Sequence, residues 1–220
     1  MTMRQPGPGP SAVALSRRWS ALWHCSFAGA WPGIQAYGLQ STARLLELAK
    51  VPATQRQQLL RLPRAEVSRI QFPNGAQAIL RDQHPLSSRR LSRALQDLSQ
   101  EQWLQLLNAR VFLFTQEPHA RRLIKVYVDH GQEVLKLKTA SLLAAYESQI
   151  EVSTRNSGAL PRTSQPSRGR HTFVPLADFP PDHVAAVQEV TILAGIDQIE
   201  PFVTNVIRYR PDGSKQRVWP

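Results

Sequence analysis

The chain reads as an α+β protein. Apolar runs of strand length, such as Val111-Phe112-Leu113-Phe114 and Val190-Thr191-Ile192-Leu193, recur between helical stretches. Ala120, Leu123, Ile124 and Tyr127 mark one buried helical stripe at i, i+3, i+4, i+7. The long regular βαβ alternation of a doubly wound sheet is missing, and no internal repeat is visible.

In chain order, Pro6-Gly7-Pro8-Gly9-Pro10 opposes regular structure. Residues 1–14 are therefore expected to be a disordered arm, followed by one domain over 15–210 and a tail over 211–220. Ala21 to Ser26 has the character of a strand, Trp31 to Gly38 of a helical turn, Ser41 or Thr42 to Lys50 of a helix, and Thr54 to Leu62 of another. Two apolar runs between Val67 and Leu80 flank Pro73-Asn74-Gly75, a hairpin signal. Ser88 to Gln96 predicts a basic helix. Ser99 with Gln102 makes a capping box for the next, whose stripe is Trp103, Leu106 and Leu107 and which stops by Asn108. After the strand Val111 to Phe114, Pro118 sits in the first turn of the helix reaching Tyr127. Glu133 to Leu137 and Ile150 to Ser153 predict strands around a helix at Ser141 to Ser148. Val187 to Leu193 and Val206 to Tyr209 predict the last two strands, with a helical turn at Ile199 to Val203 between them.

At 220 residues with 42% hydrophobic composition, one core is large enough to fold without staples. The single cysteine, Cys25, excludes an intrachain disulfide and a cysteine-built zinc framework, so no metal is expected. The longest apolar stretch, Trp19 to Trp31, is interrupted by polar residues and falls short of the ~20 needed to span a bilayer. No signal-peptide layout is present either, so a cytoplasmic protein with no membrane partner is expected. Net charge is +11, and only five of the 27 basic residues are lysines. Arginine forks pair bidentately with phosphate, so a nucleotide or nucleic acid is an expected partner, although a genome that favours arginine codons gives the same excess.

Walker, GxGxxG, HExxH, GxSxG and kinase motifs are all absent. What remains are polar residues at the ends of apolar runs. His24, followed by Cys25 and Ser26, either bonds the backbone inside the core or offers its ring to a ligand hydroxyl. Glu189 opens an otherwise buried strand, where an unpaired carboxylate is costly. It either faces solvent or an arginine, or aims into a cleft. Aromatics Phe112, Phe114 and Tyr127 fill a core or offer one face to a flat ring. The segment 154–170 carries Arg155, Arg162, Arg168 and Arg170 among Pro, Gly and Ser. It is either a solvated loop or one that contacts a polyanion.

In this order the pieces resemble the ADP-ribosyltransferase fold, an NAD-binding α+β split sheet shared by bacterial toxins and poly-ADP-ribose polymerases. The resemblance rests on a first strand ending in His24-Cys25-Ser26, a helix closing in Gly38-Leu39, the strand Val111 to Phe114 leading into a helix, and a glutamate opening a late strand. Glu189-Val190-Thr191-Ile192-Leu193 with Ile196, Ile199 and Val203 is most similar to the last segment of the DNA-modifying toxins of that group. The whole chain also resembles a family of bacterial proteins with this pattern and no assigned activity. Phe112 or Phe114 stands where many relatives have tyrosine, and His-Cys-Ser replaces His-Gly-Thr.

The resemblance implies an NAD-dependent transferase of the glycosyltransferase class, moving ADP-ribose to a nucleic acid or protein acceptor. Glu189 would be catalytic. His24 and Ser26 would bind NAD, Phe114 or Tyr127 would stack on nicotinamide, and Arg81 or Arg110 would pair the pyrophosphate. Arg155, Arg162, Arg168 and Arg170 would meet DNA or RNA. The competing expectations are a non-enzymatic nucleic-acid-binding protein and an inactive transferase fold.

Overall fold

The computed structural model describes residues 8–83, 87–159 and 167–220. Helices α1 (Pro10–Arg18), α2 (Trp31–Tyr37), α3 (Thr42–Leu48), α4 (Ala53–Arg61), α5 (Ser88–Ala94), α6 (Gln100–Asn108), α7 (Glu117–Val126) and α8 (Thr139–Tyr146) surround the strands. The strands are β1 (Ala21–Phe27), β2 (Leu39–Gln40), β3 (Ser68–Gln71), β4 (Gln77–Leu80), β5 (Arg110–Phe114), β6 (Gln132–Lys138), β7 (Ile150–Ser153), β8 (Val174–Pro175), β9 (Glu189–Leu193), β10 (Gly195–Ile196), β11 (Val203–Tyr209) and β12 (Lys215–Trp219). Eight of them form one antiparallel sheet in the order β12-β11-β6-β1-β5-β9-β7-β8, so the fold is α+β around a large antiparallel sheet. The other four make two small pairs, β10 with β2 and β3 with β4.

Strand β1 sits at the centre because its apolar residues serve both faces. Leu22 joins the main core with Val111, Leu113, Leu135, Leu137, Val190 and Ile192. Cys25 packs with Ala120 and Val134 beneath α7, where Trp23, Phe114, Leu123 and Ile124 close over them. The two flanks of β1 differ in a way that shapes the molecule. Against β6 the register runs unbroken, from Ala21 opposite Lys138 to Phe27 opposite Gln132. Against β5 it consists of one pair, Trp23 opposite Phe114. Past that pair the strands part, and the sheet opens between β1 and β5.

Local signals place the surrounding pieces. Ser99 and Gln102 form the capping box of α6. The Pro73-Asn74-Gly75 turn closes the β3–β4 hairpin. Gly38 ends α2 at φ 79°, where a Cβ would meet the carbonyl oxygens of Ile196 and Asp197 at 2.3 and 2.6 Å, so no side chain fits between β2 and β10.

Residues Pro10–Arg18 and Lys215–Trp219 are more ordered than the composition implies. Residues 10–14, expected to be part of a disordered arm, belong to α1: proline at the first helical position favours a helix start, and Ala12 and Leu15 bury against the 3₁₀ segments Leu176–Asp178 and Pro181–Ala186. The expected disordered arm therefore does not extend to residue 14, and residues 1–7 lie outside the described residues. The expected tail over 211–220 is instead strand β12, folded back on β11 through Asp212-Gly213 with Gly213 at φ 81°. Trp219 then packs its ring 5.3 Å from that of Trp31.

Candidate functional site

Where β1 and β5 separate, a cleft of about 750 Å³ opens, walled by β1, β5, the start of β9, the β3–β4 hairpin and α7. His24, Ser26, Phe112, Phe114, Tyr127 and Glu189 all line it, as do Arg81 and Arg110. The sheet register explains the convergence. Trp23, Phe114, Glu189 and Ser153 occupy one row across β1, β5, β9 and β7. Trp23, the neighbour of His24, thus lies two strand spacings, about 10 Å between backbones, from Glu189.

His24 bridges the opening. Its Nδ1 lies 2.9 Å from the carbonyl oxygen of Phe112, replacing a ladder bond that the parted strands no longer make. A carbonyl accepts, so Nδ1 carries the proton. Burial pushes the pKa down to about 4, helped by the charge of Arg81, which keeps the ring neutral. Its Nε2 is then a lone-pair acceptor suited to a hydroxyl. The backbone bond expected of this histidine is present, and the residue also lines the cleft. Two residues along β1, the Ser26 hydroxyl is buried without a hydrogen bond among the described residues.

Glu189 is 2% exposed, and burial lifts its pKa to about 7. The Ser157 amide opposes this by donating to Glu189 Oε2 at 3.0 Å, and the Arg168 charge opposes it as well. The carboxylate is buried rather than solvated, and Glu189 lines the cleft.

Arg81 and Arg110 part company. The Arg81 guanidinium lies over the rings of Phe27 and Tyr127, at 4.5 and 4.6 Å from their centroids. Its Nη2 donates to the Cys25 carbonyl at 3.1 Å and to Gln132 Oε1, while Nη1 is buried with no partner among the described residues. Arg110 is already committed. It pairs with Glu151 at 2.6 Å, donates to the Leu106 carbonyl and stacks on Phe173, so its expected pyrophosphate role is corrected to a structural ion pair. Tyr127 has one ring face against Arg81 and its hydroxyl bonded to Asp82, and burial, with Asp82 second, raises its pKa to about 12. Of the two aromatics expected to stack on a ligand ring, Phe114 is the freer.

The basic loop divides too. Arg155 and Arg170 are exposed, Arg162 lies outside the described residues, and Arg168 is only 5% exposed. Arg168 donates from Nη2 to the carbonyls of Asn156 and Ala159, both at 2.9 Å, so the expectation that it meets a phosphate backbone is corrected: it braces the loop.

Residues without a sequence signal complete the walls. Tyr37 and Phe72 stack with centroids 4.5 Å apart and planes 10° from parallel. Arg64 donates from Nε to the Arg81 carbonyl and from Nη1 to Asn108, holding Arg81 in place. Cys25, with its thiol pushed up to about 11 by burial, is no nucleophile at neutral pH. No cluster of three metal-ligating side chains occurs among the described residues, nor any helix long and apolar enough to cross a membrane.

Fold and site together define an α+β protein whose large antiparallel sheet carries a neutral imidazole and a buried carboxylate on one cleft. Residues 20–203 match the DUF7002 family, a family of unknown function, and the chain belongs to it. Neither the curated proteins nor the solved structures give a match.

Proposed function

We propose that this chain is an NAD-dependent ADP-ribosyltransferase that passes ADP-ribose to a nucleic acid. One observation carries the reading: His24, Ser26 and Glu189, the residues on which the resemblance rests, line a single cleft despite their separation in sequence.

Breaking the glycosidic bond of NAD leaves an oxocarbenium-like ribose as neutral nicotinamide departs. A carboxylate beside the anomeric carbon stabilises that charge, and Glu189 supplies it. With a pKa of about 7, Glu189 is half ionised at neutral pH in the free protein, and the cationic nicotinamide ring of the substrate draws it to the ionised form. The same group then accepts the proton that the acceptor gives up. Nε2 of His24 accepts from a ribose hydroxyl, the Ser26 hydroxyl supports the same ring, and Phe114 offers a face to nicotinamide. Arg81 Nη1, buried and unpartnered among the described residues, fits a pyrophosphate oxygen. Arg155, exposed just past β7, and Arg170, exposed where the 3₁₀ turn Arg170–Thr172 begins, suit phosphates of a nucleic acid acceptor.

The test is incubation with NAD labelled in its adenylate half, with DNA, RNA or protein as acceptor. Label transfer with release of nicotinamide, lost in Glu189→Gln, is the expected result. Intact NAD with every acceptor, together with salt-sensitive nucleic-acid binding, overturns the enzyme reading in favour of a binding protein. If NAD also fails to raise Tm, the fold does not bind it.

A further inference from the structure

The most organised polar arrangement outside the ligand-facing residues is the buried arginine behind Glu189. Arg168 has a firm foundation. The amides of Ser167 and Arg168 donate to the Ala94 carbonyl at 2.8 and 2.9 Å, and the Gln96 amide donates to the Arg168 carbonyl at 2.9 Å. This fixes its backbone to the end of α5, which itself packs on α6 through Leu91, Ala94, Trp103 and Leu104. From there the guanidinium reaches across to the carbonyls of Asn156 and Ala159, one residue before and two after Ser157. With both carbonyls held, the Ser157 amide is turned toward Glu189 Oε2 at 3.0 Å.

Arg168 makes no ion pair with Glu189, yet its charge acts on the carboxylate from behind the loop. An arginine in direct contact would occupy the carboxylate; one set back behind a backbone amide favours the ionised form and leaves it available to a ligand. A buried guanidinium loses solvation, and one of its donors, Nε, has no partner among the described residues. Bracing a surface loop alone would not require such a residue.

We propose that Arg168 is a positioning residue, which through the 156–159 loop holds the Ser157 amide on Glu189, favours the ionised form of that carboxylate and keeps it aimed for the transfer. This rests on the transferase reading given above. Other charged and titratable groups around Glu189 leave this role to Arg168. His24 on β1 is neutral, Glu151 on β7 is paired with Arg110, and Arg155 on the loop is exposed and solvated.

The experiment compares the wild type with Arg168→Lys and Arg168→Gln in nicotinamide release over pH 5 to 9. In parallel, the Glu189 side-chain carboxyl is titrated by carbon NMR, with Glu189→Gln assigning its signal. Removing the cation and loosening Ser157 disfavours the carboxylate, so Arg168→Gln moves the acidic limb of kcat upward by about one pH unit. Below that limb the loss is about tenfold, and it is recovered at high pH, with KM for NAD within about twofold. Arg168→Lys keeps the charge and restores part of the profile. The carboxyl titration shifts upward by the same amount in Arg168→Gln. A loss equal at all pH values, with the Glu189 titration unmoved, overturns the proposal and leaves Arg168 a loop brace. Absence of NAD turnover in the wild type instead fails the transferase reading, while the carboxyl titration still decides whether Arg168 governs Glu189. Circular dichroism of each variant checks that the fold persists.

Discussion

Replacing Glu189 by glutamine trades activity for stability, by an amount set by its burial. The native carboxyl ionises at about 7 and the unfolded one at its ordinary 4.5. Between those values the native state holds a proton that the unfolded chain has released, so stability falls as pH rises through that window. The span is worth about 3 kcal/mol, at roughly 1.4 kcal/mol for each pH unit of separation. Glutamine has nearly the same shape, still accepts from the Ser157 amide through its amide oxygen, and never ionises. The difference in unfolding free energy between Glu189→Gln and wild type should be near zero below pH 4.5 and rise to about 3 kcal/mol above pH 7. For a chain of this length that gain corresponds to about 6–12 °C in Tm. Urea unfolding followed by tryptophan fluorescence at half-unit pH steps measures it, and groups common to both proteins cancel in the difference. A flat difference curve refutes the reasoning, because a carboxylate without an ionisation cost is not buried as described.

His24→Gln gives the mirror image. The imidazole is held to about 4 from its ordinary 6.5, so its stability contribution is lost as pH falls through that range. The relative gain of the variant grows toward acid by about 3 kcal/mol, superposed on a constant loss from the bond to Phe112, and the same urea series shows whether it does. Over pH 4.5 to 6.5 the two groups oppose each other, so the wild type changes little there through them, and each variant exposes the slope of the other. NAD at about 100 times its Kd should raise stability by about 2.7 kcal/mol, seen as a Tm increase that shrinks in His24→Gln; equal shifts in both proteins would remove His24 from the binding site. Changing Arg155 and Arg170 together to alanine should reduce the slope of log affinity against log salt for single-stranded DNA by about 1.4, and an unchanged slope would discard both as phosphate contacts. Leu135→Ala, at a position with 0% exposure in the centre of the sheet, should cost about 2–5 kcal/mol without moving the pH difference curves.

Most of the element order is legible along the chain, because local rules act over a few residues. Ser99 and Gln102 cap α6, Asn74-Gly75 turns the hairpin, and Ala120, Leu123 and Ile124 give α7 its buried stripe. Two local signals are masked by composition. The Pro-Gly run conceals that Pro10 starts a helix, and the charged ending conceals that Asp212-Gly213 turns β11 back as β12.

The types of the polar residues at strand ends, and hence the chemistry on offer, belong to the sequence: an imidazole closing one apolar run and a carboxylate opening another. Their meeting, their charge states and the roles of the arginines were decided only in three dimensions. The row joining Trp23, Phe114 and Glu189 depends on pairing between segments far apart in the chain, which no local pattern encodes. Burial, a property of the assembled packing, holds His24 neutral and Glu189 at the edge of ionisation. Four arginines read alike as cations diverge once partners are near: Arg110 finds Glu151, Arg168 finds the loop carbonyls, Arg155 stays in solvent, and Arg81 lies between Phe27 and Tyr127 with one buried donor unpartnered among the described residues.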